Sequence, residues 1–254
     1  MFTTLSAAPA PLPALDDSEI PRVKTSRVSI IIPVYNEFCH LAHVLDRVLA
    51  APLAPGLERE LVIVDDGSSD GTTELLRALN HPEIKTLHCP KNTGKGSAIR
   101  LGLQHVTGDV VVIQDGDTEY NPAEIRSLVD PIIEGRALVV YGSRFLGHAE
   151  GMLWPYRLVN KLLVLAVRLI YGVRITDEAT AYKAFHRGVI QNIPLNCRRF
   201  EFCPEVTAKV IRLGIPIHEV PISYGARTVA EGKKVRFSDA VMAFWTLLRY
   251  RWWR

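Results

Sequence analysis

Three carboxylates follow a short apolar run in the stretch VVVIQDGDTEYNP, and their spacing is suited to metal chemistry. Asp115, Asp117 and Glu119 alternate with single residues shortly after a β-branched strand. A helix cap needs one carboxylate, and several unneutralised ones repel each other and lose hydration. A divalent cation removes that cost, and oxygen ligands with room for water and phosphates suit Mg²⁺ or Mn²⁺. The spacing therefore predicts a cation site.

The segments around these carboxylates alternate between strand and helix patterns. The runs VSIIIPVY, ELVIVDD, IKTLHC and DVVVIQD are each followed by polar residues and then by apolar residues at helical spacing. This order predicts a single α/β domain with a mostly parallel central sheet flanked by helices. Ligands bind outside the carboxyl ends of the strands in such sheets, which is where the carboxylates fall.

Four segments share that predicted rim: PVYNE, VDDGSSDGT, NTGKG and QDGDTE. Taken one at a time, each is equally well explained by the needs of turns and helix caps. The stretch TGKGSAIRLG matches neither a P-loop nor a GxGxxG motif, because Ile99 stands where the third glycine is required. The sequence therefore lacks the common signatures of an ATPase or a dehydrogenase.

Composition excludes several other classes. The chain has 254 residues, 48% of them hydrophobic, which is enough apolar material for one core. Its formal charge of +3 is only a weak argument for nucleic-acid binding. The four cysteines form no CxxC pair or zinc spacing, which predicts reduced thiols in an intracellular protein. We expect residues 1–26 to be a disordered leader and residues 27–239 to form the α/β domain.

Two helical segments favour contact with a membrane surface. No apolar run is long enough to span a bilayer, since Arg168 interrupts LLVLAVRLIYGV. The segment from 153 to 173 mixes apolar and basic residues, and the predicted helix over 240–254 is rich in Trp and Arg. Packing of these helices on the domain is the alternative. We expect a cytoplasmic protein that attaches peripherally to the membrane.

Seven segments in order resemble the family 2 glycosyltransferases. They are SIIIPVYNE, ELVIVDDGSSDGT, NTGKGSAIRLG, VVIQDGDTEYNP, YGSRF, TDEATAYKAF and EVPISYGART. The similarity is greatest to dolichyl-phosphate mannose synthases and bacterial polyprenyl-phosphate glycosyltransferases. It implies the glycosyltransferase A (GT-A) fold, a nucleoside-diphosphate sugar as donor, such as a UDP- or GDP-sugar, and an inverting displacement.

The resemblance also implies roles for individual residues. Metal ligands would be Asp115, Asp117 and Glu119, and Gly116 departs from the Ala that is commoner in the family. Donor-binding positions would be Pro33, Tyr35, Glu37, Asp65, Asp66, Lys95, Asp115, Lys233 and Lys234. Catalytic positions would be Asp117, Arg144, Asp177 and Arg227.

The nature of the acceptor decides what these residues must do. A lipid phosphate is already anionic and needs only to be held, a task for Arg144 and Arg227, with Lys233 and Lys234 nearby. A hydroxyl acceptor needs a base, for which Asp177 is the best candidate, although Asp177 could instead pair with Lys183. We expect transfer of a hexose to a polyprenyl phosphate. The alternatives are a saccharide or other hydroxyl acceptor, and a nucleotide-sugar-binding subunit without turnover.

Overall fold

A computed structural model describes residues 27–227 and 237–252. The strands are β1 (Arg27–Val34), β2 (Glu58–Asp65), β3 (Ile84–His88), β4 (Val110–Ile113), β5 (Val139–Glu150), β6 (Lys183–His186) and β7 (Ile217–Gly225). The helices are α1 (Phe38–Ala50), α2 (Thr72–Ala78), α3 (Lys95–Leu103), α4 (Ile125–Ile133), α5 (Trp154–Tyr171), α6 (Arg187–Asn192), α7 (Phe202–Arg212) and α8 (Phe237–Arg251). The four predicted strand-helix units are confirmed. The predicted leader, residues 1–26, lies outside the described residues.

The seven strands form one sheet in the order β3-β2-β1-β4-β6-β5-β7. All neighbouring strands are parallel except β6, which runs antiparallel to both β4 and β5. The chain builds outward from β1 to β3 in one direction and then returns to place β4 on the other side of β1. This reversal leaves a crevice at the carboxyl ends of β1 and β4, which positions the candidate site.

Alternating side chains of the central strands pack into two cores on opposite faces of the sheet. Ile30 and Ile32 of β1 pack on the face covered by α1 and α4, whereas Ile31 packs with α3 and α7. A strand that is buried on both faces must be apolar at consecutive positions, which explains the unbroken run in its sequence. A third cluster, which includes Leu163, Val167 and Leu247, joins α5 and α8 to the domain.

Candidate functional site

The loop after β4 carries Asp115, and the first residue of α3 lies against it. The ammonium Nζ of Lys95 is 2.5 Å from Asp115 Oδ1. Burial lowers the pKa of Lys95, but the charge of Asp115 and its neighbours outweighs burial and raises that pKa above its ordinary value. Lys95 therefore stays charged and neutralises Asp115. Two predicted site residues from separate segments are thus in direct contact.

Asp117 is buried two residues further along the same loop. Its Oδ1 accepts a hydrogen bond of 3.0 Å from the backbone N–H of Glu119, and its Oδ2 accepts one from Arg227 Nη2. Burial and the charges of Asp115 and Glu119 raise the pKa of Asp117 to about 7, with Arg227 acting in the opposite direction. The ionised carboxylate at this position is short of positive charge.

Arg227, just beyond β7, also reaches the start of α1. Its Nη1 donates to Glu37 Oε2 over 3.1 Å, so one guanidinium joins Glu37 to Asp117. The sequence predicts Glu37 in the nucleoside pocket and Arg227 at the acceptor phosphate. The structure instead places Arg227 against the carboxylates of the predicted donor side, a contact between residues 190 positions apart that no local pattern indicates.

Glu119 fixes the loop after β4 to the end of β7. Its Oε1 accepts a hydrogen bond of 2.9 Å from the backbone N–H of Arg227, and its backbone oxygen accepts one of 2.9 Å from Gly225. Glu119 therefore holds the backbone that carries Arg227. We call six residues of this region the rim cluster: Glu37, Lys95, Asp115, Asp117, Glu119 and Arg227.

The rim cluster fits a hard divalent cation by its chemistry, although its side chains are engaged with each other. No group of three or more His, Cys, Asp or Glu side chains is arranged to hold a metal within residues 27–227 and 237–252. Asp115 and Asp117 are each paired with a basic side chain. Their carboxylate oxygens are the ligands that Mg²⁺ and Mn²⁺ prefer, and burial together with the charges of Asp115 and Glu119 raises the pKa of Asp117. The metal site stays a prediction.

A steric contact explains why the residue between the two aspartates, Gly116, is glycine. A Cβ atom at this position would lie 2.5 Å from Val34 Cγ1, and Val34 is buried in β1. A β-branched side chain cannot swing away freely, so even alanine would require the loop or β1 to shift. The departure from the family's commoner alanine is therefore matched to Val34, and the loop packs closely on the end of β1.

Two further carboxylates shape the loops after β2 and β3. Asp65 accepts hydrogen bonds from the Ser68 backbone N–H at 3.0 Å and from the Thr73 hydroxyl at 2.5 Å. Asp66 accepts them from the backbone N–H groups of Thr93 at 2.9 Å and Gly94 at 2.6 Å. Both predicted base-binding residues therefore have protein partners that order the rim, and a role in binding the nucleoside stays a prediction.

The segment after β1 contains a residue that the sequence analysis missed. Pro33 pairs with Val64 at the end of β1, and Tyr35 is half-buried beside it. Asn36 adopts a φ of 51°, a left-handed conformation that asparagine tolerates better than most residues. Its side chain accepts a hydrogen bond of 2.8 Å from the Ser69 backbone N–H, which ties this turn to the loop after β2. Asparagine before Glu37 is the sequence signal for that turn.

Arg144 and Asp177 form a buried ion pair with each other. Arg144 Nε and Nη2 each donate to an Asp177 oxygen over 2.7 Å, and the Arg144 backbone N–H donates to the same carboxylate over 3.1 Å. Asp177 is fully buried. This pairing engages the two predicted catalytic side chains with each other, and a catalytic role for either stays a prediction. Asp177 also does not form the alternative hydrogen-bonded pair with Lys183.

Glu178 and Lys183 continue this buried group of charges. Lys183 Nζ donates to the Glu178 backbone oxygen over 3.1 Å and lies 3.6 Å from the centroid of the Tyr141 ring. Burial raises the pKa of Glu178 to about 7. Within the described part of the chain neither Glu178 carboxylate oxygen has a hydrogen-bond partner of normal geometry, although the Thr207 hydroxyl favours the ionised form. We call four residues the inner cluster: Arg144, Asp177, Glu178 and Lys183.

The outer faces of α5 and α8 expose large apolar side chains. The residues concerned are Trp154, Leu158, Leu162, Leu165, Leu169, Val241, Met242, Trp245, Leu248 and Trp252. The two helices pack on each other through their inner faces, so we treat these ten residues as one surface, the apolar face. None of the helices that the structure describes is both long and apolar enough to cross a bilayer. Lys233 and Lys234 lie outside the described residues.

Comparison with known proteins identifies similar sequences. A family model described as glycosyl transferase family 2 matches residues 29–193. An undecaprenyl-phosphate 4-deoxy-4-formamido-L-arabinose transferase of Shewanella sediminis is 32% identical over 81% of this chain and 61% of its own length. A dolichol-phosphate mannosyltransferase of Pyrococcus furiosus is 31% identical over 82% of this chain and 59% of its own length. The chain thus spans about three fifths of these relatives.

Solved structures show the same fold. Glucosyl-3-phosphoglycerate synthase from Mycobacterium tuberculosis, in complex with Mn²⁺, UDP-glucose and phosphoglyceric acid, superposes with a TM-score of 0.70 at 23% identity. The match covers 94% of this chain and 85% of that one. The same synthase with Mg²⁺ and UDP gives a TM-score of 0.69, also at 23% identity, and the match covers 94% of this chain and 84% of that one. The GT-A fold predicted from the sequence is confirmed.

Proposed function

The chain belongs to glycosyl transferase family 2, and from that premise we propose that it transfers a hexose from a nucleoside-diphosphate sugar to a polyprenyl phosphate with inversion. The observation that carries the proposal is the rim cluster. Four carboxylates and two basic side chains from four segments meet at the crevice where β1 and β4 end. Nothing in the packing of the core requires that concentration of charge.

Asp115, Asp117 and Glu119 would hold Mg²⁺ or Mn²⁺, an ion that stabilises the negative charge of a departing nucleoside diphosphate as a Lewis acid. Basic residues of the chain would contact the donor diphosphate directly. Lys95 and Arg227 keep their positive charge, because the surrounding carboxylates raise the pKa of both against the effect of burial. Their place beside the aspartates would let them bind diphosphate oxygens and hold the donor in line with the acceptor.

The state of Asp177 favours a phosphate acceptor over a hydroxyl. A hydroxyl nucleophile needs a general base within hydrogen-bond reach, and Asp177 is turned inward to Arg144. A phosphate monoester arrives ionised, so its oxygen attacks without loss of a proton in the protein. Two relatives of the chain are named for undecaprenyl phosphate and dolichol phosphate, which supports a polyprenyl phosphate here.

We also propose that the apolar face rests on the surface of an anionic bilayer, where such an acceptor would be found. Leu158, Leu162, Leu165 and Leu169 recur at spacings of three and four, so they form one stripe along α5. About three quarters of the surface of Leu169 and of Trp252 is exposed, at 76% and 74%. Exposed apolar patches of this extent mark interaction sites.

Charge selects the bilayer as the occupant of the apolar face. Five basic residues lie on the two helices: Arg157, Lys161, Arg168, Arg249 and Arg251. Asp239 is the one acidic residue in either helix range. Basic groups beside exposed Trp and Leu suit anionic headgroups above an acyl layer, with each Lys or Arg near the surface contributing about 1 kcal/mol.

Transfer is tested with the purified full chain, Mg²⁺ or Mn²⁺, polyprenyl phosphate and a panel of UDP-, GDP- and dTDP-sugars. We expect a glycolipid from one donor and none when the metal is chelated. Transfer to a saccharide but not to the lipid would establish the hydroxyl-acceptor alternative. Donor binding without transfer or hydrolysis would indicate a binding subunit.

The membrane proposal has its own test in co-sedimentation with vesicles. Vesicles that contain phosphatidylglycerol should retain the protein, and pure phosphatidylcholine vesicles should retain less. Replacing Leu165 and Leu169 by Ser should release it, whereas replacing the exposed Leu79, which lies beyond α2, should not. A wild-type dimer that these Ser replacements convert to monomer would show instead that the apolar face joins two copies.

A further inference from the structure

Arg227 has an unusual position for a residue expected to bind phosphate. Its guanidinium is about nine-tenths buried and lies between two carboxylates on different segments, Glu37 and Asp117. Within the described residues its Nε is buried with no hydrogen-bond acceptor. The guanidinium has five N–H donors in a fixed fork, and only some of them have acceptors here. The Arg227 side chain can therefore donate to a further anionic partner.

The charge balance of the rim cluster is incomplete with Arg227 in place. Four carboxylates face two basic side chains, so the cluster carries a formal charge of −2 when all are ionised. One divalent cation would balance that charge. Asp117 Oδ1 already accepts a hydrogen bond from the Glu119 N–H, so such an ion would use Asp117 Oδ2, the oxygen that Arg227 Nη2 now contacts. A cation and a guanidinium on one carboxylate oxygen would repel each other, so occupancy by one disfavours the other.

We propose that Arg227 is an exchangeable counter-ion: it neutralises Asp117 and Glu37 in the free protein and leaves Asp117 when a divalent cation and a nucleoside diphosphate bind together. The displaced guanidinium then pairs with a phosphate oxygen, for which its fork geometry is suited. This inference rests on the metal dependence put forward under the proposed function.

The exchange makes the cation and the diphosphate depend on each other. The cation alone must displace Arg227 without offering it a new partner, so it binds weakly. The diphosphate supplies that partner and should tighten cation binding, by a coupling that is reciprocal between the two ligands. The backbone oxygen of Glu119 accepts a hydrogen bond from the Gly225 N–H, so the end of β7 stays in place when the Arg227 side chain moves.

The test measures binding of Mn²⁺ to the full chain by electron paramagnetic resonance of the free ion, with and without UDP or GDP. Wild type should bind Mn²⁺ about tenfold more tightly when the matching nucleotide is present. Arg227→Met keeps the aliphatic bulk and removes the charge, so it should bind Mn²⁺ alone about tenfold more tightly than wild type and gain little from the nucleotide. Arg126→Met, at an exposed pair with Asp130, is the matched control and should behave as wild type.

The possible results separate this inference from the proposed function. If wild type binds Mn²⁺ with nucleotide but Arg227→Met binds Mn²⁺ alone no better than wild type, Arg227 is a fixed structural residue and the exchange is wrong. If wild type binds no Mn²⁺ with either nucleotide, the proposed metal dependence fails and the exchange fails with it. Should Arg227→Met not fold, Arg227→Lys serves, because one ammonium cannot bridge both carboxylates as a fork. Arg227→Lys should tighten Mn²⁺ binding by a smaller factor than Arg227→Met. An Arg227→Lys protein that binds Mn²⁺ as wild type does would overturn the proposal.

Discussion

The rim cluster and the inner cluster use the same residue types and differ in how their charges balance. The inner cluster has two carboxylates and two basic side chains, and its Arg144–Asp177 pair is bidentate and closed to solvent. The rim cluster has four carboxylates for two basic side chains. A balanced cluster needs nothing from outside the protein, whereas an unbalanced one favours an added cation. The balance of charge therefore separates a ligand-binding role from a structural one.

Each cluster contains a carboxyl group whose pKa is raised to about 7, so the pKa alone does not distinguish them. Burial raises the pKa of Asp117, aided by Asp115 and Glu119. Burial likewise raises the pKa of Glu178, against the charge of Lys183. Perturbed carboxyl groups are common at functional sites, but structural networks perturb them too. The partners and the access to solvent decide which case applies.

The largest expected effect is on stability, at the inner cluster. Asp177→Asn should lower the free energy of unfolding by about 3 to 5 kcal/mol, because it leaves the charge of Arg144 buried without its counter-ion. Chemical denaturation measures this directly. Asp130→Asn, at an exposed pair on α4, should change stability by less than about 1 kcal/mol.

The same Asp177 variant sharpens the comparison through its activity. At a temperature where it is folded, it should keep the order of magnitude of the wild-type turnover. A folded Asp177→Asn protein that is catalytically dead would support the role of general base for Asp177 and remove the distinction between the two clusters.

The next effect is on activity, at the rim cluster. Asp117→Asn keeps the shape of the side chain and removes a charge, so transfer should fall by about a hundredfold or more. Its melting temperature should stay near that of wild type or rise, since a repelled carboxylate is removed. Initial rates of glycolipid formation over a range of Mn²⁺ concentrations provide the measurement. Unchanged rates would exclude Asp117 from the metal site.

The smallest expected effect is a pH dependence of stability that comes from Glu178. Its pKa is raised from 4.5 to about 7 in the folded protein, so the folded state binds a proton that the unfolded state releases between these values. Stability from this group is present below about pH 4.5 and is lost as the pH rises to about 7. The unfolding free energy of Glu178→Gln, measured relative to wild type, should therefore rise by about 2 kcal/mol as the pH increases from 5 to 8.

A matched variant controls for titration elsewhere in the chain. Glu134→Gln, at an exposed position, should track wild type across that range when unfolding is followed at each pH. Parallel curves for Glu178→Gln and wild type would show that Glu178 keeps its ordinary pKa in the folded state.

The sequence by itself determined the α/β fold, the four strand-helix units and the rim on which Asp115, Asp117 and Glu119 lie. Periodicity suffices for this, because a buried parallel strand must be apolar at consecutive residues and its helix must repeat every three or four. The D-x-D spacing is local as well, so the concentration of negative charge after β4 is visible in the sequence.

Only the tertiary structure decided which charged groups meet. Arg227 contacts Glu37 across 190 positions. Asp177 pairs with Arg144 and not with Lys183, which is six residues further along the chain. Such pairs depend on strand order and on the reversal between β1 and β4, which bring distant segments to one edge of the sheet. A sequence records the charge of each side chain, but the partner that neutralises it is set by the fold.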